Sequence, residues 1–188
     1  MARWKPDART RLEQAALELY SERGFQQTTV AEIAQRAGLT ERTFFRYFAD
    51  KREVLFSGAS ALEARLVSAL DDAPDTLSAI DAVGVAVEVG ASLFEDRRDF
   101  ARQRQAAISA NAELAERERI KLASLASALA DGLRRRGVGD SAASLAAEMG
   151  IAVFRIAFER WIEGSNQRAL PEIVRASLNQ LKVVAGGE

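Results

Sequence analysis

The chain has no cysteine and no histidine in 188 residues. The first absence excludes disulfides and thiolate chemistry. The two together exclude the usual zinc sites and every catalytic arrangement built on His or Cys. Proline occurs three times, and aromatics make up 7% of the chain. No apolar run reads as long enough for a membrane span. The opening Met1-Ala2-Arg3-Trp4-Lys5-Pro6 lacks the apolar segment of a signal peptide. An excess of charge is missing as well: 26 Lys and Arg against 27 Asp and Glu leave a net charge of −1. Any contact with nucleic acid must therefore come from a local patch rather than from average charge. A soluble cytoplasmic protein without metal or cofactor is the expectation.

What is present is the composition of a folded protein, 48% apolar and 28% charged. The length suits one core with a small attached module. Through Phe56 there are ten Lys and Arg against eight Asp and Glu, a local charge of +2 that leaves −3 for the remainder. This weak asymmetry places the basic patch at the N-terminal end.

Thr28 to Lys51 carries the most information. Thr28 is suited to cap a helix in which Val30, Ile33, Ala34 and Ala37 share one face. Gly38 stands where that helix must stop, and Thr40 opens a second one. Two short helices joined by a Gly-containing turn make a helix-turn-helix, whose second helix enters the DNA major groove. In that helix Phe44 and Phe48 point inward, while Glu41, Arg42, Thr43, Phe45, Arg46 and Tyr47 point outward. Such a set suits groove readout: Arg on guanine, Thr and Phe against thymine methyls, Tyr and Lys51 on phosphate. A helical hairpin with a solvated basic face is the alternative.

Residues 10–56 resemble the DNA-binding domain of the TetR family of bacterial repressors. The resemblance rests on Ala15-Ala16-Leu17-Glu18-Leu19-Tyr20, Gly24-Phe25, Thr28-Thr29-Val30, Ile33-Ala34, Ala37-Gly38-Leu39 and Thr43-Phe44-Phe45-Arg46-Tyr47-Phe48-Ala49-Asp50-Lys51. It implies an all-α chain with an N-terminal helix-turn-helix domain over 1–50. A C-terminal helical domain over 51–188 would bind ligand and dimerise. It also implies a homodimeric regulator, most often a repressor, on an inverted-repeat operator. The DNA-contacting set is then Thr28, Thr29, Thr40, Glu41 and Arg42 with Thr43, Phe45, Arg46, Tyr47 and Lys51.

The remaining pattern is helical throughout, with no strand-like alternation. Arg3 and Lys5 belong to a loose basic arm. A first helix spans Asp7 to Glu22. Asp50 and Glu53 form a capping box for a long helix from Lys51 to about Leu70, able to act as a lever between the domains. Asp75 caps a helix over Leu77 to Phe94. Others cover 96–110, about 112–136 and 141–163, then a loop at Gly164-Ser165-Asn166. Pro171 starts the last helix, which runs to about Val184.

Helix 141–163 is apolar nearly all round, so it must be buried on every side. A second copy packed against it and the last helix would achieve that. The expected interface is Phe154, Phe158, Trp161, Val174, Leu178 and Leu181; a central helix in a monomer is the alternative. In the stripe from Leu93 to Ile108, Arg97 and Arg104 interrupt the apolar residues Phe94, Phe100 and Ile108. A guanidinium on an inward face needs an anion. It would be Glu118 or an anionic ligand with an apolar body. Residues 97–119 resemble, less specifically, the TetR subgroup that responds to acyl-CoA-type ligands, which implies a fatty-acid-like effector bound by Phe94, Arg97, Phe100, Arg104 and Ile108. Two other classes stay open: a helical adaptor without DNA binding, and an enzyme using carboxylate, Lys, Ser or Tyr chemistry. No catalytic spacing of those residues is recognisable.

Overall fold

The computed structural model describes residues 7–163 and 168–186. The basic arm with Arg3 and Lys5, and the Gly164-Ser165-Asn166 loop, lie outside the described residues. Every regular element among the described residues is helical. In order these are α1 (Ala8–Arg23), α2 (Val30–Arg36), α3 (Glu41–Tyr47), α4 (Ala59–Asp71), α5 (Ala79–Ala91), α6 (Arg98–Ser109), α7 (Ala112–Arg135), α8 (Asp140–Ile162) and α9 (Leu170–Gly186). Short 3-10 helices fill Glu53–Phe56 and Ser92–Arg97.

The expected helix from Lys51 to Leu70 is two elements. Asp50 Oδ1 accepts from the amides of Arg52 and Glu53, at 2.8 and 3.2 Å, but the turn it starts is 3-10. Ser57 and Gly58 then separate it from α4. The Glu53 carboxylate pairs with Arg117 at 2.7 Å. Likewise Ser78, not Asp75, caps α5, with its hydroxyl accepting from the amide of Asp81.

The chain folds as two compact units. The smaller holds 7–58 together with 103–118, so the expected boundary at residue 50 falls inside it. Leu12, Leu17, Leu19, Ile33, Phe44 and Val54 are buried in its core. The distant segment completes that core with Ile108 and Leu114. Polar contacts hold it in place. Arg104 Nε donates to the Leu55 carbonyl at 2.6 Å, and its Nη1 pairs with Glu118 at 3.0 Å. Its guanidinium lies 5.1 Å over the Phe56 ring, and Gln105 donates to the other Glu118 oxygen at 3.2 Å. Arg52 pairs with Glu113 at 2.9 Å.

The larger unit holds 59–102 and 119–186. Its core runs from Leu66 and Leu70 of α4 through Val83 and Val87 of α5 to Leu129 and Leu133 of α7. From α8 and α9 come Phe154, Phe158, Trp161, Ile173 and Val174. α5 packs against α4, α8 and α9. Its approach to α8 is possible because Gly150 has no side chain: a Cβ there would collide with Val83. Arg136 donates to the carbonyls of Leu70, Ala73 and Pro74 at 2.8–3.0 Å, covering the open end of α4.

α8 also corrects the reading that no segment reaches membrane-span length. By length and composition its 23 residues qualify, with a mean hydropathy of 1.4 over the best stretch. Half of that stretch is buried inside the fold, as befits a helix packed between α5 and α9.

Candidate nucleic-acid interface

The smaller unit presents α2 and α3 joined through Gly38, whose φ of +65° is a left-handed geometry open to glycine without penalty. Arg11 of α1 braces this turn by donating to the carbonyls of Ala37 and Gly38. Nothing in the local spacing of Arg11 marks it for this, because its partners lie 26 and 27 residues away.

Thr29, not Thr28, caps α2. Its hydroxyl accepts from the Glu32 amide at 3.3 Å, and Glu32 Oε2 takes both the Thr29 amide and hydroxyl protons, at 2.9 and 2.8 Å. These bonds, the backbone one first, hold the Glu32 carboxyl below its usual pKa. Thr28 is 1% exposed, with its hydroxyl donating to the Gly24 carbonyl at 2.9 Å, so it pins the preceding loop and is out of reach of a phosphate.

α3 sorts its faces as its sequence indicates. Phe44 and Phe48 are buried, with rings 5.4 Å apart. Thr40 caps the helix by accepting from the Thr43 amide at 3.2 Å, and the two hydroxyls lie 3.1 Å apart. Glu41, Arg42, Phe45 and Arg46 are exposed, while Thr43 and Tyr47 are half-buried. The Arg46 guanidinium lies 5.1 Å over the Tyr47 ring, with Nη2 3.4 Å from the phenol oxygen. Arg42 makes no ion pair or hydrogen bond among the described residues.

Lys51 points elsewhere. Its Nζ donates to the carbonyls of Phe25, Thr28 and Gln26 at 2.9, 2.8 and 3.4 Å, and lies 4.3 Å from the Phe25 ring centroid. The Lys51 carbonyl accepts from Tyr20 at 2.6 Å. Burial, helped by the Asp50 charge, pushes that phenol well above its usual pKa. Lys51 thus ties α1, the loop before α2 and the end of α3 together. Lys51→Ala is expected to cost about 2 kcal/mol of folding stability in urea unfolding, because hydrogen bonds to a charged group are lost. The slope of log K against log salt on DNA should stay unchanged; a slope reduced by about one unit per half-site at unaltered stability would return Lys51 to the phosphates.

The other expected sites divide differently. Phe94 packs on Phe154 and Phe158 with centroids 5.9 and 5.5 Å away, and the Arg97 guanidinium lies 4.4 Å over the Phe100 ring, all in the larger unit. Arg104 and Ile108 belong to the smaller unit, where Arg104 has Glu118 as its anion. The five effector residues are therefore not gathered within one unit. The six expected interface residues are also inside the fold of one chain. Val174 is 0% exposed, Trp161 2%, Phe154 7%, and Phe158 and Leu178 8%, with Leu181 packed against the same core. The apolar side chains that α8 leaves exposed are Leu145, Met149 and Ile156.

Comparison with known proteins addresses the smaller unit most directly. Residues 13–57 match the family described as bacterial regulatory proteins, tetR family. The HTH-type transcriptional regulator TcmR of Streptomyces glaucescens is 41% identical over 66 residues, which is 35% of this chain and only 29% of that protein. MftR of Mycobacterium tuberculosis, provisionally assigned as a mycofactocin biosynthesis transcriptional regulator, is 28% identical over 150 residues, 78% of this chain and 76% of the relative. Among solved structures, the transcriptional regulator FadR from Bacillus subtilis in complex with stearoyl-CoA shares the fold with a TM-score of 0.64. Its identity is 20%, over 92% of this chain and 96% of that one. The helix-turn-helix built by α2 and α3, with its outward Arg42, Phe45 and Arg46, lies within residues 13–57, the stretch that matches the family described as bacterial regulatory proteins, tetR family.

Proposed function

We propose that this chain is a one-component transcriptional regulator, a repressor that binds an inverted-repeat operator as a homodimer in the cytoplasm. The observation that carries the reading is the face of α3: Glu41, Arg42, Phe45 and Arg46 are exposed together on a helix that Phe44 and Phe48 anchor from behind. Two copies are needed because helix-turn-helix readers take two half-sites about one helical turn apart. The surface that supports a second copy is the stripe Leu145, Met149 and Ile156 on α8, at helical spacing and unsatisfied in one chain.

A small effector with an apolar body and an anionic head, of the acyl-CoA kind, is the proposed release signal. The FadR of similar fold was solved with stearoyl-CoA. In this chain Phe94, Arg97 and Phe100 supply rings and a cation close together in sequence, with the Arg97 guanidinium 4.4 Å over the Phe100 ring. The effector acts only in so far as it prefers one of two states of the protein. A gel shift on the DNA upstream of its own gene, repeated with acyl-CoA thioesters, tests the whole reading. Retarded DNA that is freed by thioester is expected; no retardation at any protein concentration would end it.

Within this reading Arg42 is a base reader. Arg42→Ala is expected to cost roughly 1–3 kcal/mol on the operator and to relax preference at one position per half-site. Equal losses on operator and random duplex would show that Arg42 meets only phosphate.

A further inference from the structure

Phe45 is the odd member of the α3 face. It is 55% exposed, on a helix whose other outward side chains are charged or polar. The neighbours already have tasks. Arg46 is folded onto Tyr47, and the Thr40 and Thr43 hydroxyls face one another at the cap. A phenyl ring offers no hydrogen bond to a base edge. In the major groove the apolar group able to meet it is the C5 methyl of thymine. Resting on the function proposed above, we propose that Phe45 selects one thymine in each operator half-site through that methyl, one or two base pairs from the base that Arg42 reads.

The spacing follows from helix geometry. Arg42 and Phe45 stand three residues apart, on the same side of α3 and about 4.5 Å apart along its axis. Successive base pairs rise about 3.4 Å. The two side chains therefore address neighbouring or next-neighbouring base pairs, and the half-site carries thymine at a fixed offset from the Arg42 position. Because the ring contributes area and no polar contact, its effect is selection of base identity rather than a general attraction to DNA.

The experiment begins with duplexes selected by the wild-type protein from random sequence. Each thymine of the selected operator is then replaced by deoxyuridine, which keeps the pairing edge and removes only the methyl. At about 0.8 kcal/mol per buried carbon, one substitution per half-site should weaken binding about fourfold, and both together about fifteenfold. Phe45→Ala should bind thymine and deoxyuridine duplexes alike, near the wild-type level on deoxyuridine; Phe45→Leu should keep part of the discrimination. An exposed ring leaves the fold intact on removal, and the wild-type measurement decides independently of the variants. Wild-type indifference to deoxyuridine at every position overturns the inference while leaving a DNA-binding regulator. Discrimination that survives in Phe45→Ala overturns it too, by assigning the methyl to another side chain. Failure to select any duplex overturns the regulator reading itself.

Discussion

Met149→Glu is expected to give a folded monomer with operator affinity lowered by about 10²–10⁴-fold. Met149 is 39% exposed on α8, between Leu145 at 58% and Ile156 at 39%. A carboxylate there costs the isolated chain little, because the site is wet. In a two-fold interface each copy brings the same patch to the other, so every substitution occurs twice and places like charges in an apolar seam. Separate copies then bind half-sites independently and lose the effective concentration that joins them. Sedimentation and a gel shift read the two consequences. Trp161→Glu is the contrasting case: Trp161 is 2% exposed and packs on Phe158 at 5.7 Å, so a charge there should unfold the chain. A dimeric Met149→Glu protein with normal operator affinity would remove the α8 stripe from the interface.

Arg104→Ala should destabilise the protein by about 3 kcal/mol, with or without effector, because it strands Glu118. In a chain of this size that lowers Tm by about 6–12 °C. The side chains of Arg104 and Glu118 are 20% and 22% exposed. Burial lowers the Arg104 pKa and the Glu118 charge opposes that shift, which leaves a guanidinium whose comfort depends on its partner. Glu118→Gln should behave similarly, since it leaves the Arg104 charge uncompensated. Thermal unfolding with and without an acyl-CoA thioester distinguishes this pair from an effector anchor. Were Arg104 to hold the effector head, its alanine variant would fold with normal stability, bind operator and ignore the thioester.

The helices and the helix-turn-helix were legible because their signals are local. Asp7, Thr40 and Gly38 act at the ends they mark, and the Phe44–Phe48 spacing sets the inner face of α3. Ambiguity arose where two residues compete for one role. Thr28 and Thr29 are equally good caps by type, and the decisive feature was Glu32 standing three residues after Thr29. On α8 both faces are apolar, and sequence could not say which one the chain itself covers. The aromatic face meets α5, α9 and Phe94, while the smaller-scale stripe of Leu145 and Met149 stays outside. Lys51 and Arg11 escaped because their partners are backbone carbonyls 23 to 27 residues away, groups that every residue carries and that no pattern reveals.

The smaller unit takes its material from two stretches of chain separated by 44 residues, 59–102. That arrangement sets a timetable for synthesis. When residues up to 58 have left the ribosome, α1 to α3 exist in sequence, but Ile108, Leu114 and the Arg104–Glu118 pair are still unmade. At about 5–20 residues per second, several seconds separate the two halves. Until then the nascent segment has an unfilled core and Leu55 offers its carbonyl to no guanidinium. Contacts of such long sequence separation form slowly, since loop closure precedes any gain from them. The exposed face of α3 therefore matures after the central helices have been made, so a chain stalled before residue 118 presents a helix-turn-helix that is written out but not yet held.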